Sequence, residues 1–331
     1  MIVEKAFADY TDFRIPGIVV TERGTLLRYC ECRRAVGDWS DIDIKVDRSA
    51  DMGKTWDTVL LIKSGGNTLN NPVMFVDGEQ LIFLYCKNYK EIWKCKSTND
   101  GKSFGETERV NFDGSIDFFY NVVALGPGHG IVHNERLIVP VWFAYNRENE
   151  KSHRPSFIST FYSDDKGESW QLGEVIFQSE LRNPSECALA VTAENEIMIS
   201  IRHECEIRTR ALAKSTDGIS GWKDLRFEKN LADPICMGSM THRNGTIYHI
   251  NCDCDSTRYS AEERKNLTVK ISDDCFKSYK SIYVSDRGGY SDIAIWENKL
   301  FIFYEKTILI GDKEKVLQPF ELYFEVIDIP N

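Results

Sequence analysis

Five times the chain writes nearly the same eight residues. "SADMGKTW" from Ser49 and "SDDKGESW" from Ser163 share the pattern Ser-x-Asp-x-Gly-x-Ser/Thr-aromatic, and "STNDGKSF" from Ser97 differs in placing Asn99 at the Asp position. Two looser copies follow, "STDGISGW" from Ser215 and "SDDCFKSY" from Ser272, the latter with Phe276 where the others have Gly. Such a segment is a hairpin corner: the Asp side chain accepts bonds from nearby backbone N–H groups, Gly supplies a positive φ, and the aromatic ring closes over the turn. One copy is an ordinary solvated loop. Copies starting at 49, 97, 163, 215 and 272 are spaced by 48 to 66 residues, the period of one four-stranded propeller blade per repeat.

The sequence between the corners supports strands. "LIFLYCKNY", "RLIVPVWFAY", "EIMISIRHE", "TIYHINCDC" and "KLFIFYEK" are short apolar or alternating runs bounded by turn residues. Helical spacing is confined to the short "SAEERKN". Five corners imply at least five blades, and the C-terminal "ELYFEVIDI" joined to early strands closes a sixth. The expectation is an all-β, six-bladed propeller of four-stranded antiparallel blades. Residues 1–331 are expected to form one domain, because no Pro-, Gly- or Ser-rich linker interrupts them and 42% hydrophobic residues supply a large core.

The net charge of -10 argues against a nucleic-acid binder, which needs a basic face to displace phosphate counterions. A small anionic ligand is still compatible, since arginines in a cleft focus positive potential locally. No stretch is apolar for long enough to span a bilayer. "MIVEKAFADYTDF" lacks the basic and apolar regions of a signal peptide, so a cytoplasmic location is expected, or a secreted one if a leader has been removed. The ten cysteines are scattered without CxxC pairs and are expected to be reduced thiols. Neither they nor the six histidines have zinc-site spacing, so no metal and no organic cofactor is expected.

The residues outside the repeat carry the functional signal. "DFRIPGIVV", with Arg14 ahead of Pro16, followed by the Asp-containing corners, resembles the exo-α-sialidases. "GPGHGI", "RKNLTV" and "GGYSDIAI" also resemble sialidase segments, in the family's order and over nearly the whole chain. The resemblance implies a propeller enzyme that releases terminal sialic acid from sialylated glycans through a tyrosine nucleophile. Its arginine triad maps to Arg14, Arg202 in "ISIRHE" and Arg264 in "RKNLTV", with Arg258 as a rival for the third.

Chemical need fits this mapping. Sialic acid bears a carboxylate on its anomeric carbon, and the rigid fork of arginine suits a planar anion. A carboxylate nucleophile would be repelled there, whereas a phenol is neutral until it loses its proton; tyrosine nucleophiles are established for sialidases. The resemblance assigns Tyr290 as nucleophile, Glu186 as the acceptor of its proton, and Glu305 as the carboxylate that orients Arg14. Asp38 in "GDWSDIDI" matches the proton donor to the leaving oxygen, with Asp41 as a rival and a pKa raised beside Trp39 as the expected aid. Arg33 matches an arginine that touches a sugar hydroxyl. His129 and His203 are candidates for lining the cleft.

"RNPSE" replaces the family's more usual Asn-Glu, and the last two corners depart from the repeat. Intramolecular transfer to an anhydro sugar, or hydrolysis of a deaminated sialic acid, needs the same constellation. A binding propeller without turnover would lack the tyrosine, glutamate or aspartate. A protein-interaction propeller needs no arginine cluster.

Overall fold

Strand-forming runs pair into six antiparallel sheets in a computed structural model that describes residues 2–4, 9–112, 117–176, 179–256, 261–309 and 316–330. The sheets are the blades of a propeller. Blade I is Asp12–Val20, Leu26–Arg33, Ile42–Ser49 and Asp57–Ile62; blade II is Leu69–Asp77, Gln80–Lys87, Glu91–Ser97 and Glu108–Val110. Blade III is Val122–Leu125, Arg136–Ala144, Ser156–Ser163 and Gln171–Leu172; blade IV is Cys187–Val191, Ile197–Ile201, Thr209–Ser215 and Lys223–Ala232. Blade V is Ser239–Arg243, Thr246–Cys252, Lys265–Ser272 and Lys280–Arg287.

Blade VI closes the ring: Ser291–Trp296, Lys299–Leu309 and Val316–Asp328 are completed by Ile2–Glu4, which pairs antiparallel with the C-terminal strand. Every blade has four antiparallel strands, and two carry a short extra one. Gly128–His129 adds in parallel to blade II, and Ile131–His133 adds to blade III.

The core lies between blades. Among the described residues, apolar side chains sort into layers shared by consecutive blades, such as Leu27 with Leu81 and Phe83, or Ile250 with Ile293 and Ile302. Each fully buried side chain of this kind contributes about 1.5–3 kcal/mol. The repeated corners join the third strand to the fourth in blades I to V. In blade III the Asp165 carboxylate accepts from Ser163 Oγ at 2.7 Å, Ser169 N at 2.8 Å and Ser169 Oγ at 2.5 Å, while Gly167 N donates to Ser163 Oγ at 2.9 Å.

The glycine position does two jobs. Gly53 has φ of 83°, and a Cβ built there would lie 2.3 Å from the Phe324 ring of blade VI. The corner is therefore also the seat on the preceding blade. In blade V the corner keeps the same bonds around Asp274 although Phe276 adopts φ of 67°. Its ring is fully buried beside Ala188 and Ala190 of blade IV, small residues that leave it room.

Strand direction fixes where function can sit. The corners follow the third strands, so the starts of first and third strands, and the ends of second strands, lie at the opposite end of each blade. The single-copy residues of interest occupy that opposite end.

Candidate active site

Arg14 enters on the first strand of blade I, where the register shifts between Arg14 and Gly17. Ile15, a β-branched residue, is held there at φ of 59°, a conformation that costs about 1–3 kcal/mol and persists only when its surroundings enforce it. Glu305 is the enforcer. Its fully buried carboxylate accepts from Ile15 N at 3.0 Å and Arg14 Nε at 2.6 Å through one oxygen, and from Tyr290 N at 3.1 Å through the other. Arg264 Nη1 stands 3.9 Å from that second oxygen. One carboxylate thus ties together strands of blades I, V and VI.

Tyr290 immediately precedes the first strand of blade VI. Its phenol donates to Glu186 Oε1 and accepts from Arg202 Nη1 at 2.7 Å; Arg202 also pairs with Glu186 Oε2. The guanidinium carbons of Arg264, Arg14 and Arg202 lie 5.2, 5.4 and 5.9 Å from the Tyr290 ring centroid. Burial pushes the phenol well above its ordinary pKa; Arg202 and Arg264 pull it down, while Glu186 pushes it up. At rest it is a protonated phenol already bonded to a carboxylate. Behind it, the fully buried Arg210 donates to the Glu186 carbonyl at 3.3 Å and to Asp233 at 2.9 Å, which fixes the backbone of the glutamate.

Arg33 ends the second strand of blade I. Glu31 clamps it from below, accepting from Nε at 2.9 Å and Nη2 at 2.6 Å, and Glu31 in turn accepts from Asn71 N at 2.9 Å. Its remaining nitrogen, Nη1, donates to Asp38 Oδ1 at 3.0 Å. Asp38 corrects the sequence expectation: its pKa is lowered, not raised. Desolvation does act upward, but Arg33, then His153 and Arg14, outweigh it. The Trp39 ring stacks on His153.

These side chains face one cavity of about 230 Å³, lined by Arg14, Arg33, Asp38, Glu186, Arg202, Arg264 and Tyr290 among others, with Glu305 behind it. One rival falls elsewhere. Asp41 does not line the cavity and pairs with Arg34 at 2.9 Å and with Ser64; Arg258 lies outside the described residues. His129 lines a separate cleft with Ile18, Thr241 and Ile293, where it pairs with Asp292 at 2.8 Å, and buried His203 packs on Phe227.

Sequence reasoning missed Tyr89, Trp142, His153, Asn183 and Glu204, which also line the cavity. Only His153 lies in the polar tract between "VWFAY" and "SFISTFY", which has no diagnostic spacing; Tyr89, Trp142, Asn183 and Glu204 stand in "LIFLYCKNY", "RLIVPVWFAY", "RNPSE" and "ISIRHE", where nothing in the sequence turns them toward a shared cleft. Among the described residues, no group of three His, Cys, Asp or Glu has an arrangement suited to a metal ion. None of their helices is long and apolar enough to cross a membrane. Among the described residues, no disulfide joins any of the ten cysteines.

The arrangement offers several fixed cations for one planar anion, a phenol hydrogen-bonded to a carboxylate, and a second carboxylate at the rim. Residues 40–302 match the family described as the BNR repeat-like domain. A sialidase of Bacteroides fragilis (strain YCH46) is 24% identical over 89% of this chain, which spans 60% of that relative's length. The solved Hadza microbial sialidase Hz136 superimposes with a TM-score of 0.78 at 20% identity, over 97% of this chain and 66% of its own. A leech intramolecular trans-sialidase in complex with 2,7-anhydro-Neu5Ac gives 0.74 at 14% identity, over 96% and 68%. At these identities the solved structures share the fold.

Proposed function

This chain belongs to the BNR repeat-like domain family and is a sialidase-family protein, and from that premise we propose that it is a retaining exo-α-sialidase acting on terminal sialic acids of glycoconjugates or oligosaccharides. The observation that carries the reading is the convergence of three guanidinium groups within 5.9 Å of one tyrosine ring whose phenol is bonded to a buried glutamate.

Arg14, Arg202 and Arg264 hold the substrate carboxylate, and Arg33 bonds a ring hydroxyl. The Tyr290 oxygen attacks the anomeric carbon as its proton passes to Glu186 Oε1, while Asp38 gives a proton to the departing glycosidic oxygen. Water then attacks the glycosyl-tyrosine: Asp38, now a carboxylate, takes the water's proton, and Glu186 returns its proton to the phenol. Tyr290 and Glu186 regain their starting states, and Asp38 replaces the proton lost to the leaving group with one from water. Two displacements at one carbon retain configuration.

Electrostatics set the pH dependence. Arg33 favours the ionised form of Asp38, so the proton-donating form accumulates only as pH falls. Turnover of a substrate with a poor leaving group is expected to rise as the assay moves from pH 8 toward pH 5. A flat profile over that range argues against Asp38 as donor.

The decisive assay is incubation with a fluorogenic α-sialoside, with other glycosides as controls. Release confined to the sialoside supports the reading, and no release removes it. NMR of the product distinguishes free sialic acid from an anhydro sugar.

A further inference from the structure

One aromatic box beside the site is left unused by the chemistry above. His153, between Arg136–Ala144 and Ser156–Ser163, stacks on Trp39 with ring centroids 4.5 Å and planes 28° apart. Trp142 meets His153 edge-on at 5.2 Å, and Tyr89 stands 5.3 Å from His153 and 4.9 Å from Trp39. Trp39 is the residue after Asp38, so the stack joins the acid-bearing loop of blade I to a loop of blade III.

The loop has little else at its tip. Val36 is 64% exposed, and nothing lies within 4 Å of a Cβ placed at Gly37. The Asp38 side chain is 44% exposed where it meets Arg33. The base is firmer, with Arg34 paired to Asp41 and Asp43. Stacked rings of this kind contribute about 0.5–1.5 kcal/mol beyond the area they bury, enough to hold a short loop in one position.

An imidazole is a costly filler for such a box. His153 Nε2 is buried with no hydrogen-bond partner among the described residues, a penalty of about 1–3 kcal/mol that a phenyl ring avoids. What phenyl lacks is polarity. His153 and Asp38 line the same cavity, and each lies in the other's electrostatic field.

We propose that His153 is a positioning residue for Asp38: its stack on Trp39 fixes the acid over the leaving oxygen, and its polar edge tunes the field at that carboxylate. The proposal rests on the sialidase reading, and its signature is dependence on the leaving group. An activated aryl sialoside departs with little proton transfer, whereas a sialyl-lactose needs a well-placed acid.

The test compares wild type, His153→Ala, His153→Phe and Trp39→Leu on 4-nitrophenyl sialoside and on sialyl-lactose. His153→Ala is expected to lower kcat on sialyl-lactose about 10–100-fold, a part of the usual effect of a general acid, while the aryl substrate changes by about threefold or less. His153→Phe, which keeps the stack, recovers part of the lost rate. Trp39→Leu, on the exposed loop, reproduces the selective loss without altering the loop of blade III, and adding it to His153→Ala brings little further loss, because both break one contact. Equal losses on both substrates, or no loss on either, overturn the proposal. Wild-type protein inactive on both substrates would instead overturn the sialidase reading itself.

Discussion

The corners and the candidate-site end of the propeller use the same kind of bond over different distances along the chain. In a corner, carboxylate and donor are two to four residues apart, as Asp165 is from Ser163 and Ser169. At the site, Arg14 and Glu305 are 291 residues apart, Tyr290 and Glu186 are 104, and Arg202 and Tyr290 are 88. A local motif rebuilds itself from its own residues, so Asn99 replaces Asp in blade II and Phe276 replaces Gly in blade V without loss of the turn. The site exists once, and only when the ring has closed. Redundancy protects the scaffold, while uniqueness makes the site fragile to single changes.

Breaking the unique end gives the largest expected effect. Tyr290→Phe should lower kcat/KM by about 10³-fold, close to 4 kcal/mol of barrier, with the protein still unfolding in one cooperative transition. Undiminished turnover would remove the nucleophile.

The most altered corner comes next. Phe276→Gly restores the repeated pattern and relieves a positive φ, yet it empties a fully buried ring site between blades IV and V. A net loss of about 2–3 kcal/mol is expected in urea titration, since cavity formation outweighs relieved strain. A gain in stability would show that the pattern matters more than the packing it serves.

Glu305→Gln keeps the shape of the group that ties three strands but removes its charge. An increase in KM of about tenfold is expected, or 1.4 kcal/mol, with a smaller change in kcat, because Arg14 loses its charged anchor. A larger fall in kcat than in substrate affinity would mean that Glu305 acts on Tyr290 and not on the arginines.

The smallest effect belongs to one ordinary corner. Asp165→Ala is expected to cost about 1 kcal/mol, reduced by solvent exposure, and to leave activity unchanged. Desolvation acts upward on the Asp165 carboxyl, but its bonds to Ser169 and Ser163 hold it down at about 2. Its stabilisation is therefore present above the ordinary carboxylate pKa and is lost as pH falls through about 2. Thermal melts of variant and wild type should converge between pH 4 and pH 2; a constant gap would show that the charge is not involved.

Much of this molecule is legible in one dimension. The corners marked five blades, and the C-terminal strand does close the sixth, paired with Ile2–Glu4. Arg14, Arg33, Asp38, Glu186, Arg202, Arg264 and Tyr290 stand in segments that resemble sialidase motifs, and they meet at one cavity. Less visible were the supports. Glu31 and Arg210 are buried ions inside strand sequences, and Tyr89, Trp142 and His153 read as core or loop until blades I, II and III meet. The field at Asp38 was misjudged because desolvation, which acts upward, is outweighed by Arg33, His153 and Arg14, and the last two are brought near it only by the fold.

Sequence by itself determined what is periodic or local: strands from alternating apolar runs, corners from side chains that bond their own backbone, and the residue types available for chemistry. Tertiary structure decided what depends on direction and dielectric. Which carboxylate meets which guanidinium, how far a phenol is desolvated, and whether an acid sits beside a ring or a cation follow only when closure of the ring brings distant strands within bonding range and excludes water from between them.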